Sequence, residues 1–292
     1  DGAMTVREIL GAYACLGKVK ISLLASLSAA AGLLLAGGAP GTTPALIAGV
    51  FLLACGASAL NQYQERDADA RMARTAARPI PAGRIHPAAA LRFAAVLIAL
   101  GDALLFLGGS WTPPLLGLAA VFWYNGVYTP LKVRSAFAAI PGALVGAIPP
   151  AIGWTAGGGG LGDPPLLALC FFFFMWQVPH CLVHLAAFGQ EYEEIGRPCL
   201  TAVFTGRQLD RLTFQWLLAT AVSLQMIIVQ GLIGSPFVKA ALLAASLWLA
   251  VEGFRLLKAG RSDYPALFRG INVFMLAVLL LIYFDAVPRH LP

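Results

Sequence analysis

Long apolar runs alternate with short polar connectors along the whole chain. Nine runs carry almost no charge: about 18 to 38, 44 to 64, 87 to 108, 113 to 130, 135 to 156, 164 to 186, 209 to 232, 236 to 257 and 266 to 287. A stretch of roughly 18 or more apolar residues is long enough to cross a bilayer as a helix. Each run is expected to be helical, because a backbone polar group in lipid finds its partner only within its own helix. The connectors are short except at 65 to 85 and 188 to 210, which are also the most polar. One bundle over residues 1–292, without internal boundaries, is therefore expected. Pro141 and Pro149-Pro150 fall inside the fifth run and predict a break there, since proline lacks an N–H and clashes with the preceding turn. The glycine run 157 to 160, with Gly162 and Asp163 after it, has neither the strand nor the lysine of a phosphate loop and is read as a turn.

Composition places the chain in the membrane class: it is 59% hydrophobic and 12% charged, with a mean hydropathy of +0.78. Charge gives a topology. With nine spans, eighteen of the 20 Lys and Arg residues fall on the side of the N-terminus, leaving Lys239 and Arg289 opposite. That asymmetry puts the N-terminus and the two polar loops in the cytoplasm, with the protein multi-pass in a bacterial inner membrane surrounded by lipid. The net charge of +6 then reflects topology, and nucleic-acid binding is excluded as its cause. Asp1-Gly2-Ala3 before Met4 is read as an expression scar, and the long first apolar run argues against a cleaved signal peptide. The five cysteines have no CxxC spacing and are expected to be reduced packing residues.

The candidate chemistry lies in the two polar loops. Asn61, Glu65 and Asp69 recur at every fourth residue and so share one helix face, an oxygen-bearing stripe suited to Mg²⁺. A solvated charged surface is the plain alternative, but Asn61 and Glu65 lie at the end of an apolar helix, where polar groups mark function. Asp67 is off the stripe and is expected to pair with Arg71 or Arg74. The arginines beyond the stripe, among them Arg74 and Arg78, offer the bidentate geometry that phosphate favours. In the second loop Glu191 and Glu194 share a face, giving a second acidic group for a second Mg²⁺, while Glu193 faces water. Metal ions and cations around a diphosphate would neutralise charge on the leaving group. Lys132, Arg134 and Lys18 add cations on the same side, for which positive-inside anchoring is an equal reading. His180 and His184 stand one turn apart near Trp176, without a third metal ligand; contact with a polar or porphyrin substrate is the better reading.

These segments resemble the UbiA superfamily of intramembrane prenyltransferases, and within it the branch that farnesylates protoheme IX. The carriers are NQYQERDADARMARTAARPIPAGRI at 61 to 85, YTPLKVR at 128 to 134, GALVGAIPPAIGWTAG at 142 to 157, WQVPH at 176 to 180 and EYEEIGRPCL at 191 to 200. The resemblance implies an all-α membrane fold of nine transmembrane helices around a central cavity. It implies Mg²⁺-dependent transfer of farnesyl from farnesyl diphosphate to a vinyl group of heme b, giving heme O, and association with terminal oxidase assembly factors. Asn61, Glu65 and Asp69 match the first acidic motif and Glu191 the second. Lys18, Arg74, Arg78 and Lys132 match diphosphate-binding positions, with Arg134 standing in for a usual arginine at Val133. Heme is expected near Trp176, His180 and His184. Glu65 replaces the usual Asp, and Arg197 stands where an apolar residue is expected. Two rivals stay open: a sister enzyme acting on a quinone precursor or other aromatic acceptor, and a polytopic transporter.

Overall fold

The computed structural model describes residues 4–38, 40–259 and 264–290; Asp1 to Ala3, expected to be a scar, and Arg261, one of the cations expected on the cytoplasmic side, lie outside the described residues. The described residues form helices and no strands. In order these are α1 (Val6–Leu16), α2 (Val19–Leu35), α3 (Thr43–Asp69), α4 (Pro87–Phe106), α5 (Thr112–Val121), a π-helix (Phe122–Tyr128), α6 (Thr129–Leu131), α7 (Ala139–Gly142), α8 (Leu144–Ala156), α9 (Pro164–Ala187), α10 (Gly189–Glu194), α11 (Leu200–Val203), α12 (Gly206–Val229), α13 (Pro236–Ala259) and α14 (Tyr264–Ala286).

Seven helices among the described residues are long and apolar enough to cross a membrane, or eight if the bent pair α1 and α2 is one span. The expected count of nine is not reached because the run 113 to 130 is helical but divided: the π-helix separates α5 from α6, and neither piece spans alone. The first run differs too, since α1 and α2 meet at 51° across Gly17 and Lys18. Lys18 there has φ 47° and ψ 51°, the left-handed region that costs an L side chain about 1 kcal/mol or more. In the fifth run the interruption falls at Ala143, between α7 and α8, while α8 runs through Pro149 and Pro150.

Neighbouring helices pack in sequence, α4 on α3, α3 on α2, α2 on α8, α8 on α9, α9 on α12, α12 on α13 and α13 on α14. Tyr283 on α14 donates to Leu27 O at 2.6 Å, which ties the last helix back to α2. Lipid supplies no hydrophobic drive between helices, so close packing of small residues must do so. A Cβ on Gly32 would overlap Pro150 O, and one on Gly153 would overlap Ala29 O. Backbone thus meets backbone between α2 and α8, as it does between α3 and α4 at Gly49 and Gly101. The glycine turn is held by Asp163, whose Oδ2 accepts from Trp154 Nε1 and Gly160 N, each at 2.8 Å. All five cysteines are free thiols; Cys55 and Cys199 are buried as expected of packing residues, whereas Cys15 is exposed.

Candidate active site

Helix α3 carries its apolar pattern to Leu60 and then changes composition without changing conformation, so its last two turns bring polar side chains inside the bundle. Asn61, Glu65 and Asp69 are only 1%, 8% and 2% exposed, which rules out a solvated face. An unpaired buried carboxylate costs several kcal/mol, so each must be matched nearby. Glu65 is bridged by Lys132 Nζ at 2.8 Å on one oxygen and Arg197 Nη1 at 2.9 Å on the other. Asp69 Oδ2 takes Arg78 Nη1 at 2.7 Å. The segment after α3 folds back over it in turns: Thr75 Oγ1 donates to Asp69 O at 3.0 Å, and Met72, Ile80 and Ile85 are buried.

Asn61 joins the network on three sides. Its Nδ2 donates to Glu65 Oε2 at 3.0 Å and Thr129 Oγ1 at 2.9 Å, and Lys18 Nζ lies 3.5 Å from its Oδ1. The break between α1 and α2 therefore delivers a cation to α3, and the π-helix delivers Thr129 and then Lys132. The second polar loop closes the other side, where Glu191 Oε2 accepts from Arg74 N at 3.4 Å. Arg74 lies over the Phe188 ring at 5.0 Å, and its buried Nε has no hydrogen-bond partner among the described residues. Burial pushes the neighbouring Tyr192 phenol above its ordinary pKa against the pull of Arg74, so it stays a neutral O–H.

The structure thus gathers Lys18, Asn61, Glu65, Asp69, Arg74, Arg78, Lys132 and Glu191 at one end of the bundle. It leaves Glu194 and Arg134 exposed, with no ion pair to any of these residues. Glu193 is exposed as expected, accepting from Thr201 Oγ1. Asp67 pairs with its neighbour Arg66 at 3.8 Å instead of Arg71 or Arg74, because it points outward and is 86% exposed. Arg197 is a site residue that sequence reasoning misses. Its only sequence signal is a charge at an expected apolar position, and its partner lies 132 residues away.

On α9, aromatic packing accounts for the histidine pair. The His180 ring lies 4.9 Å from both Trp176 and Phe268, and the His184 ring 4.9 Å from Phe188 and 5.5 Å from Phe268. Trp176 Nε1 donates to Ile271 O at 3.2 Å, fixing this face against α14. The aromatic row leads from the bundle interior to Phe188 beneath Arg74.

Among the described residues no three His, Cys, Asp or Glu side chains converge as a ready metal-ligand set. The donor chemistry nonetheless fits a hard divalent cation, because Asn61, Glu65, Asp69 and Glu191 offer only oxygens. Cations of the chain neutralise two of the acids: Lys132 and Arg197 hold Glu65, and Arg78 holds Asp69.

The UbiA prenyltransferase family model matches residues 4–280 of the chain. The protoheme IX farnesyltransferase of Oleidesulfovibrio alaskensis is 38% identical over 283 residues, covering 95% of this chain and 97% of that one. That of Geobacter sulfurreducens is 44% identical over 183 residues, covering 62% of this chain and 67% of its own. A digeranylgeranylglyceryl phosphate synthase structure shares the fold with a TM-score of 0.77 at 16% identity, covering 96% of this chain and 99% of its own. A UbiA homologue from Archaeoglobus fulgidus, bound to GPP and Mg²⁺, does so with a TM-score of 0.68 at 12% identity, covering 94% and 99%.

Proposed function

This chain belongs to the UbiA prenyltransferase family, and we propose that it transfers farnesyl from farnesyl diphosphate to a vinyl group of heme b, yielding heme O. The observation that carries the chemistry is the buried array in which Glu65 and Asp69 are held by Lys132, Arg197 and Arg78. Heme b as acceptor rests on the relatives, protoheme IX farnesyltransferases of which one is similar over almost its whole length.

Asn61, Glu65, Asp69 and Glu191 would hold Mg²⁺, as the metal-bound and diphosphate-bound fold relative supports. When bound, the metal offsets the negative charge of the diphosphate as it departs. Around it the chain's own cations do the positioning. Lys18, Arg74, Arg78, Lys132 and Arg197 converge on the acids and can be shared with a diphosphate, whose oxygens favour guanidinium geometry. The Nε of Arg74 is one such donor left unused among the described residues.

The farnesyl C1–O bond breaks with both electrons leaving on the diphosphate. The allylic cation is attacked by the vinyl π electrons, and the resulting carbocation takes up water and releases a proton. The aromatic row of Trp176, His180, Phe268 and His184 provides an apolar surface for the porphyrin and keeps bulk water from the cation. The charged end faces the cytoplasm of a bacterial inner membrane, in line with the distribution of Lys and Arg. Purified protein incubated with Mg²⁺, farnesyl diphosphate and either heme b or a phenolic acid tests the reading by product mass. Farnesylated heme is expected, and modification of the phenolic acid alone would overturn the assignment.

A further inference from the structure

We infer that Thr129 is a positioning residue that fixes the direction of the Asn61 amide, so that its N–H groups are spent on Thr129 and Glu65 and its oxygen is left open on the side of Lys18. The inference rests on the proposed role of Asn61 and adds the residue that sets its orientation.

Thr129 owes its place to the π-helix. The closing bond of that helix runs from Thr129 N–H to Tyr124 O, five residues back, where an α-helix would use Asn125 O. The spared Asn125 O accepts instead from Gln64 Nε2 at 3.0 Å, and Asn125 Nδ2 returns a bond to Gln64 Oε1 at 3.1 Å. This exchange pins the π segment to α3 beside Asn61. Each extra residue in a turn rotates the downstream chain by about 100°, so the π segment sets the direction in which Thr129 and Lys132 leave the helix.

A threonine hydroxyl has one proton. That of Thr129 goes to Tyr124 O at 2.8 Å, so the oxygen can only accept toward Asn61. The second neighbour of the Asn61 amide, Glu65, is a carboxylate and also only accepts. Both N–H bonds of Asn61 are thereby consumed, at 2.9 and 3.0 Å, and the reversed amide would set its oxygen against two acceptors. Oδ1 is left facing Lys18. Asn61 is 1% exposed, so water has little room to restore a lost bond.

Valine at 129 keeps the shape and removes the acceptor; serine keeps the acceptor and loses a methyl. Binding of Mn²⁺ with inorganic diphosphate to the full chain in detergent, read by electron paramagnetic resonance, separates the two. Thr129→Val should weaken binding about tenfold and Thr129→Ser by no more than about threefold, the scale of one lost buried hydrogen bond. A valine variant that binds like the parent protein, or a serine variant as weak as valine, overturns the inference. A parent protein that binds no Mn²⁺ with diphosphate overturns both this and the metal role of Asn61. If the valine variant does not fold, Thr129→Cys carries the same expectation, because sulfur is a poor acceptor of similar volume.

Discussion

Two acidic segments face the same end of the bundle, and they are built differently. Asn61, Glu65 and Asp69 sit on the last turns of a 27-residue helix that enters the membrane. Their neighbours are fixed by packing, and every carboxylate has a cation already in place. Glu191, Glu193 and Glu194 sit on α10, six residues long, between the end of α9 and the turn at Gly196. Only Glu191 reaches inward, and it does so through a backbone N–H of Arg74. Burial makes the difference: a charge withdrawn from water must be matched within the fold, whereas an exposed one can go unmatched at little cost. The first segment is therefore a preorganised wall, and the second closes on it through one residue.

Substitutions should rank in that order. Asp69→Ala removes a buried carboxylate and frees Arg78, so turnover should fall by about a thousandfold, in the range of a lost transition-state electrostatic contact. A steady-state assay at saturating Mg²⁺ checks this, and turnover kept within a few-fold would break the distinction between the segments. Glu191→Ala should lower kcat/KM by about thirtyfold, mostly through a higher Mg²⁺ requirement, because one ligand is lost while the wall stands. A Mg²⁺ titration of the variant separates that effect from a change in kcat. Arg197→Ile removes the guanidinium that holds one oxygen of Glu65. It should raise the KM for farnesyl diphosphate by about tenfold with a smaller change in kcat, the pattern of lost binding in both ground and transition states. Glu194→Gln should change activity by less than about twofold, as expected of an exposed acid. A large loss at Glu194 would show that α10 turns inward when substrate binds.

The first wall was legible because helical spacing is local: residues four apart share a face whatever surrounds them, and Asn61, Glu65 and Asp69 needed nothing else. Lys132 and Arg74 were legible by motif. What the sequence hid was long-range or irregular. Arg197 meets Glu65 across 132 residues, and no periodicity encodes such a meeting. The spacing of Glu191 and Glu194 promised a shared face, but on so short a helix, with bulk water on one side, one of them stays outside. Helical spacing gives Asp67 the wrong partners, because α3 ends at Asp69 and Arg71 and Arg74 lie beyond that end. The π-helix was equally hidden: FWYNGVY is apolar enough to read as ordinary α-helix, and nothing in it announces that Gln64 of another helix takes the Asn125 carbonyl. That one departure splits the fourth run and also brings Thr129 to Asn61.

The contact of α2 with α8 has a consequence for how the bundle responds to its surroundings. Side chains can change rotamer when a bilayer thickens or thins, but peptide groups touching at Gly32 and Gly153 have no such slack. Their separation is a fixed gauge, and accommodation to a different lipid must be taken up along other seams. An alanine at either glycine would act as a wedge, prying the second helix away from the eighth.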